Sequence, residues 1–215
     1  MNNHFDYYVM KDLDVLSQID FSKRVYSFLF LLNLEYPNFT RWYHSLYTAE
    51  GLLKKEREII LCKNGDNIAG VMILKQDENE KKICTLRVSP VYQGLGIGSR
   101  LIEKSFEYFD NDKPLITIHI SKYHEFKKLF DHYSFSLEQQ VQGYYGLLRS
   151  ELSYNGVLCS DIIKTPSIIG RVAFSLEKAI YNYPNINSTK ILISNPLKQL
   201  IHGNTMATKN QILQI

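Results

Sequence analysis

The segment PVYQGLGIGSRL, Pro90–Leu101, constrains the fold more than any other part of this chain. Gly94, Gly96 and Gly98 alternate with apolar residues between two stretches of different character. Glycine reaches backbone conformations that other residues avoid, and it leaves neighbouring amides uncovered. The segment therefore predicts a tight turn that links a strand to a helix and exposes N–H groups at the helix start.

The stretches on either side of the turn favour this interpretation. Upstream, ICTLRV (Ile83–Val88) is typical of a strand, which stops at Ser89-Pro90. Downstream, the residues that recur on one helical face are mainly apolar: Leu101, Ile102, Ser105, Phe106 and Phe109. The apolar segment PLITIHI follows that helix, so we expect it to pair in parallel with Ile83–Val88 through a right-handed crossover.

The remaining segments predict the rest of the sheet. REIILCKNGDNIAGVMILKQ is typical of a hairpin that turns at Asn64–Asp66, and SLEQQVQGYYGLLRSELSYNG is typical of a closing pair of strands. The element order is β-α-α-β-β-β-α-β-α-β-β. It predicts an α/β (α+β) fold whose central sheet is mixed, mostly antiparallel, and covered by helices on both faces.

The chain divides into a first domain, residues 1–155, and a C-terminal extension, residues 156–215. In the extension, TPSIIGRVAFSLEKAIYNYP predicts a helix at about 166–181, with Thr165 as N-cap and Pro166 at its first position. KILIS, at 190–194, predicts a short strand. The apolar stripe of the helix must be buried, either against the first domain or in a homodimer.

Composition excludes several classes of protein. The net charge of +3 and the interspersed charges do not indicate nucleic-acid binding in general. Cys62, Cys84 and Cys159 are too far apart for a zinc site, so we expect reduced thiols and no metal. The chain shows neither a signal peptide nor a membrane span, which favours a cytoplasmic protein.

Three phosphate-binding patterns compete for the glycine turn. The P-loop requires a lysine after its last glycine, and the dinucleotide fingerprint requires a G-x-G-x-x-G spacing, so neither fits. The remaining pattern, Gln/Arg-x-x-Gly-x-Gly/Ala, fits Gln93 to Gly98. A pyrophosphate suits such a set of amides at the positive end of a helix dipole.

On these residues the chain resembles the GCN5-related N-acetyltransferase (GNAT) family. ICTLRVSPVYQGLGIGSRLIEKSF, Ile83–Phe106, is similar to that family's strand, pyrophosphate loop and following helix, and the element order extends the resemblance over about residues 5–155. The resemblance implies that the chain transfers an acetyl group from acetyl-CoA to an amine.

The resemblance also implies where the cofactor is held. Backbone groups of one strand segment would bond the pantetheine and polarise the thioester carbonyl, and amides of the turn would hold the pyrophosphate. Tyr123 stands about where the family often has an Asn that contacts the cofactor. The cofactor-binding residues that we predict are Leu86, Arg87, Val88, Gln93, Gly94, Leu95, Gly96, Ile97, Gly98, Ser99 and Tyr123.

The groups that would move protons are less clear. The family commonly has a Tyr in a pattern that LFDHYSF matches here, which puts Phe130 in the Tyr position and Ser134 in that of a Gly. Tyr133 is a weak substitute as the acid. His119 alternates with the isoleucines of its strand, so it is either the base, directly or through water, or a structural residue.

We expect, then, an acetyl-CoA-dependent N-acetyltransferase whose acceptor is a small amine, a protein amine or an aminoacyl-tRNA. Two other functions stay open. One is a non-catalytic module that binds acyl-CoA, which the missing Tyr would favour. The other is a toxin-like acetyltransferase that acts on aminoacyl-tRNA.

Overall fold

The computed structural model describes residues 4–36, 38–144 and 149–158. Nearly all of these belong to one compact unit, residues 1–141 and 151–159. The second unit, residues 142–150 and 160–215, is described only at 142–144 and 149–150. The helix, the strand and the dimer contacts predicted for the C-terminal extension lie outside the described residues and stay predictions.

Seven strands and five helices make up the described part of the chain. The strands are β1 (Asp6–Val9), β2 (Arg57–Asn64), β3 (Asn67–Gln76), β4 (Lys81–Val88), β5 (Leu115–His119), β6 (Leu137–Gln142) and β7 (Ser150–Tyr154). The helices are α1 (Val15–Leu29), α2 (Leu32–Glu35), α3 (Phe39–His44), α4 (Ile97–Phe109) and α5 (Tyr123–His132). This order confirms the predicted one, with the single turn of α2 added. None of these helices is long and apolar enough to cross a membrane.

The strands form one sheet in the order β1-β2-β3-β4-β5-β7-β6. The pairs from β1 to β4 are antiparallel, as is the pair of β5 with β7, whereas β4 and β5 run parallel. The parallel pair is joined through α4, because parallel neighbours require a crossover. The predicted mixed, mostly antiparallel sheet is therefore confirmed.

Helices cover both faces of the sheet, as predicted. Successive residues of a strand point to opposite faces, so each strand contributes to two cores. Ile60 of β2 and Met72 of β3 pack on the side of α4 and α5, together with Leu101. Their neighbours Ile59 and Val71 pack on the other side, among the buried residues of α1 and α3: Val25, Leu29, Phe39 and Tyr43.

Gly70 of β3 lets α4 approach the sheet closely. A Cβ at this position would lie 2.9 Å from Cγ2 of Ile97 and 3.1 Å from Cδ1 of Leu101. Both of these side chains are buried, so neither can move aside without disturbing the core. The start of α4 is thus fixed against the sheet by the absence of a side chain at one residue.

We expect Gly70→Ala to lower the free energy of unfolding by about 1 to 3 kcal/mol, because it overpacks the contact between β3 and α4. Urea denaturation measures the change. Gly98→Ala is the matched control, since a Cβ there meets only Cγ2 of Val88 at 3.9 Å. Equal stability of the two variants would contradict the close contact.

Candidate functional site

The middle of the sheet opens beside β4. The register between β3 and β4 shifts so that Cys84 is an extra residue, which is a β-bulge. β5 pairs with β4 only at Lys82 and Ile83, ahead of the bulge. Leu86–Val88 therefore pairs with β3 on one side and faces an opening on the other. The predicted splay is confirmed, although it begins at the bulge and not at Ser89-Pro90.

We call this opening, along Leu86–Val88, the slot. Leu86 and Val88 pack on the core beneath α4, whereas the guanidinium of Arg87 lies on the other face, 5.8 Å from the ring centre of Phe28 in α1. All residues from 84 to 89 are half-buried, although the strand is central in the sheet. Backbone N–H and C=O groups along this edge are available to an extended ligand that carries amides.

The glycine turn forms a concave set of amides at the end of this slot. Gly94 (φ +77°) and Gly96 (φ +79°) adopt the left-handed conformation, and Gly96 is the N-cap of α4. The first helical bond in this turn joins N–H of Arg100 to the carbonyl of Gly96, at 3.0 Å. The amides before Arg100 have no acceptor within the helix, as at any helix start. They suit an anion, as predicted.

The slot and the turn are continuous, because a Cβ on Gly98 would lie 3.9 Å from Cγ2 of Val88 at the end of β4. The other predicted cofactor residues lie around this junction or beside it. Gln93 and Leu95 are exposed, Ile97 is buried, and Tyr123 begins α5 and packs partly on the core. The structure thus brings the strand segment and the turn together, and the roles of individual residues stay predictions.

Tyr133, one of the two predicted catalytic residues, contacts the first turns of α4. Its hydroxyl lies 3.2 Å from the carbonyl oxygen of Ser99 and 3.2 Å from Oε1 of Glu103, and it donates to these acceptors. Its ring packs edge-on against Phe106. Burial, and then the charge of Glu103, raise the pKa of Tyr133, so the phenol keeps its proton at neutral pH. This geometry connects the end of α5 to the start of α4.

His119, the other predicted catalytic residue, ends β5 at the mouth of the slot. Its Nδ1 accepts a hydrogen bond from the backbone N–H of Ser121 (3.2 Å) and lies 2.7 Å from Oγ of the same residue. The backbone bond requires the lone pair on Nδ1 and leaves the ring proton on Nε2. In the other tautomer, Nδ1–H donates to the hydroxyl of Ser121 instead, and Nε2 carries the lone pair that a base requires. Ile116 and Ile118 point to the side of α4 and α5. Because side chains alternate along a strand, the imidazole of His119 points to the other side, where α1 and α3 lie.

The position that holds a Tyr in the family is part of the core here. Phe130 is 2% exposed, and its ring centre lies 4.4 Å from that of Tyr154. Ser134 has φ +52°, the left-handed conformation expected where the family has a Gly. The conformation of Ser134 therefore agrees with the match between LFDHYSF and the family pattern. Phe130 offers no proton to a leaving group.

Sequence reasoning missed Glu151, a carboxylate of β7 whose exposure is 0%. The strand register places Glu151 directly opposite His119. The alternation of SELSY separates Glu151 and Ser153 from the apolar Leu152 and Tyr154, so the sequence does indicate a polar face. Only the register between β5 and β7 shows which residue Glu151 opposes.

A strand that opens next to a helix start with uncovered amides is an arrangement that suits an extended anionic ligand. The family profile described as acetyltransferase (GNAT) domain matches residues 35–147, just over half of the 215-residue chain. The chain belongs to the GNAT acetyltransferase family, which confirms the resemblance. Comparison with curated proteins finds no matching sequence.

Similar solved structures include three acetyltransferases. The IAA acetyltransferase from Bacillus cereus is 17% identical over 46% of this chain and 77% of its own, with a TM-score of 0.41. A GNAT family acetyltransferase from Elizabethkingia anophelis with acetyl-CoA bound is 17% identical over 46% of this chain and 74% of its own, with a TM-score of 0.40. Arabidopsis thaliana Naa50 in complex with a bisubstrate analogue is 22% identical over 45% of this chain and 70% of its own, with a TM-score of 0.38. These likenesses are too partial to add to the family match.

The contacts of Tyr133 lead to a prediction that separates two roles. If the phenol only connects α5 to α4, Tyr133→Phe lowers the free energy of unfolding by about 1 kcal/mol and leaves acyl transfer unchanged. If it is the acid, the transfer rate falls by about 10² or more. Urea denaturation and thiol-release assays measure the two quantities. Tyr108→Phe, a hydroxyl removed near the other end of α4, is the control.

Proposed function

We propose that this chain is an acetyl-CoA-dependent N-acetyltransferase that acts on an amine. The observation that carries the proposal is the continuity of the slot at Leu86–Val88 with the amides of Gly94–Ser99. The slot matches the amide-bearing arm of the cofactor, and the amides match its pyrophosphate. Membership of the GNAT family supports the same function.

Different residues have different roles in the proposed acetyl transfer. Backbone groups of Leu86–Val88 orient the thioester and polarise its carbonyl, and the turn holds the pyrophosphate. His119, in the tautomer whose Nδ1–H donates to Oγ of Ser121, accepts at Nε2 the proton that the amine loses. Because Phe130 cannot act as an acid, the thiolate leaves unprotonated, which the modest pKa of a thiol permits. The acceptor is a small amine, a protein amine or an aminoacyl-tRNA.

A non-catalytic module that binds acyl-CoA is the second candidate. The burial of Phe130 in the core favours it, since no phenol reaches the leaving group there. Both candidates bind acetyl-CoA, but only the enzyme releases thiol in the presence of an amine. A panel of small amines, peptides and charged tRNAs, each incubated with acetyl-CoA, therefore separates the two. The cytoplasmic location predicted from the sequence is part of the proposal.

The proposed cofactor site is tested by placing a charge in it. Acetyl-CoA at about 100 times its dissociation constant should add about 2.7 kcal/mol to the unfolding free energy of the parent chain. Gly98→Asp should abolish this gain by repelling the pyrophosphate. The apo fold should remain intact, because a carboxylate in the first turn of a helix is favourable.

The control is Gly98→Asn, which has the same shape without the charge and should retain part of the stabilisation. Thermal unfolding with and without the cofactor measures all three proteins. A parent chain that shows no shift at millimolar acetyl-CoA would contradict the proposed function. Equal losses in the two variants would mean that shape, not charge, excludes the ligand.

If His119 is the base, His119→Ala should lower the rate of acyl transfer by about 10² to 10⁴ and remove the acidic limb of the pH–rate profile. The affinity for acetyl-CoA should hardly change, because backbone groups hold the cofactor. His132→Ala, at an exposed position on α5, is the control. A variant with normal turnover and an unchanged profile would make His119 structural. The enzyme would then act mainly by positioning its substrates.

A further inference from the structure

One face of the β5–β7 pair is polar although its β7 residues are buried. Ile116 and Ile118 oppose Tyr154 and Leu152, and these four side chains join the core beneath α4 and α5. The alternate positions oppose Thr117 to Ser153 and His119 to Glu151. The polar side chains therefore share the opposite face, at the end of β5 that borders the slot.

Glu151 is the carboxylate on this face, and it is completely buried. Its exposure is 0%. A buried carboxylate is costly to fold unless it interacts with other groups. Residues directly opposite each other in an antiparallel pair have Cβ atoms about 5 Å apart. The side chains of Glu151 and His119 thus begin close together on the same face. Because Glu151 is buried, solvent ions screen its charge only weakly.

We propose that Glu151 is a positioning residue for His119, whose imidazolium it stabilises when the acceptor amine gives up its proton. The chemistry of this step rests on the proposed function. As the N–C bond forms and the C–S bond breaks, the thiolate leaves with the bonding electrons, and the amine proton moves to Nε2 of His119. The charge that develops on the ring is then opposed by the carboxylate on β7.

Other charged groups lie on the elements around His119. The ammonium of Lys122, in the 3₁₀ turn after β5, lies 3.0 Å from Glu125 of α5 and 4.0 Å from Glu35 of α2, and these carboxylates offset it. Arg87 of β4 lies on the same sheet face, as its contact with Phe28 shows. Arg87 and Lys122 disfavour an imidazolium, and Glu151 on the neighbouring strand favours it.

Titration of the full chain by NMR tests the pairing without any substrate. The Cε1–H resonance of His119 is assigned by its loss in His119→Asn, and its titration midpoint is compared between the parent and Glu151→Gln. We expect the midpoint to move to lower pH by about one unit or more, because an opposite charge at this separation favours the protonated ring. An unchanged midpoint would overturn the proposal.

Two further variants make the result specific. Glu151→Asp keeps the charge and should keep most of the parent midpoint, so it also decides the matter if the Gln variant is poorly folded. Glu58→Gln removes another buried carboxylate, one on β2 that accepts from the N–H of Ile59, and should leave His119 unaffected. A shift of equal size in Glu58→Gln would mean that the effect is general destabilisation, which also overturns the pairing.

A double-mutant cycle tests the role in the reaction. We expect Glu151→Gln to lower kcat about tenfold in the parent, to leave KM for acetyl-CoA unchanged, and to have no effect when His119 is already Ala. Additive losses would show that Glu151 does not act through His119. If the parent binds no acetyl-CoA, the proposed function fails, and the NMR titration still decides whether Glu151 and His119 are coupled.

Discussion

The bulge at Cys84 determines how the rest of the site is arranged. An extra residue in β4 keeps that strand paired with β3 but turns it away from β5 after Ile83. A central strand is thereby left with one open edge, and open backbone is the only part of a sheet that can bond an extended ligand. Because β4 and β5 are parallel, the chain must cross back over the sheet between them, and α4 forms this crossover. The start of α4 therefore lies at the end of the open edge. Gly70 then fixes the height of α4 above the sheet.

Local signals in the sequence were sufficient to predict the fold of the residues that the structure describes. The glycines at 94, 96 and 98, the Asn64–Asp66 turn and the alternation of apolar residues each depend on a few neighbouring positions, and each prediction is confirmed. The bulge at Cys84 could not be predicted, because it depends on the register between β3 and β4 and not on either strand alone. Glu151 escaped notice for the same reason. Its role depends on pairing with a residue 32 positions earlier in the chain.

At the end of α5, packing prevents the residue at position 130 from acting as an acid. Phe130 contacts Phe126, Phe135 and Tyr154, so a phenol at this position would have to bury its hydroxyl in an aromatic cluster. The hydroxyl that this helix end does provide, on Tyr133, is directed to the carbonyl of Ser99. In this chain the aromatic residues of α5 therefore stabilise the junction with α4, and the base that we propose, His119, lies on the other face of the sheet.

The two faces of the sheet thus carry separate parts of the proposed activity. On the side of α4, the proposed cofactor site is made of backbone, which constrains the sequence only where a conformation requires glycine. On the opposite side, the roles that we propose for His119 and Glu151 belong to their side chains, and any pair of strands in the correct register could supply such a pair. A site held by backbone leaves a pattern that is visible in a single sequence, whereas a site set by register does not. This difference explains why a pyrophosphate site could be predicted from one loop while Glu151, opposite His119, could not.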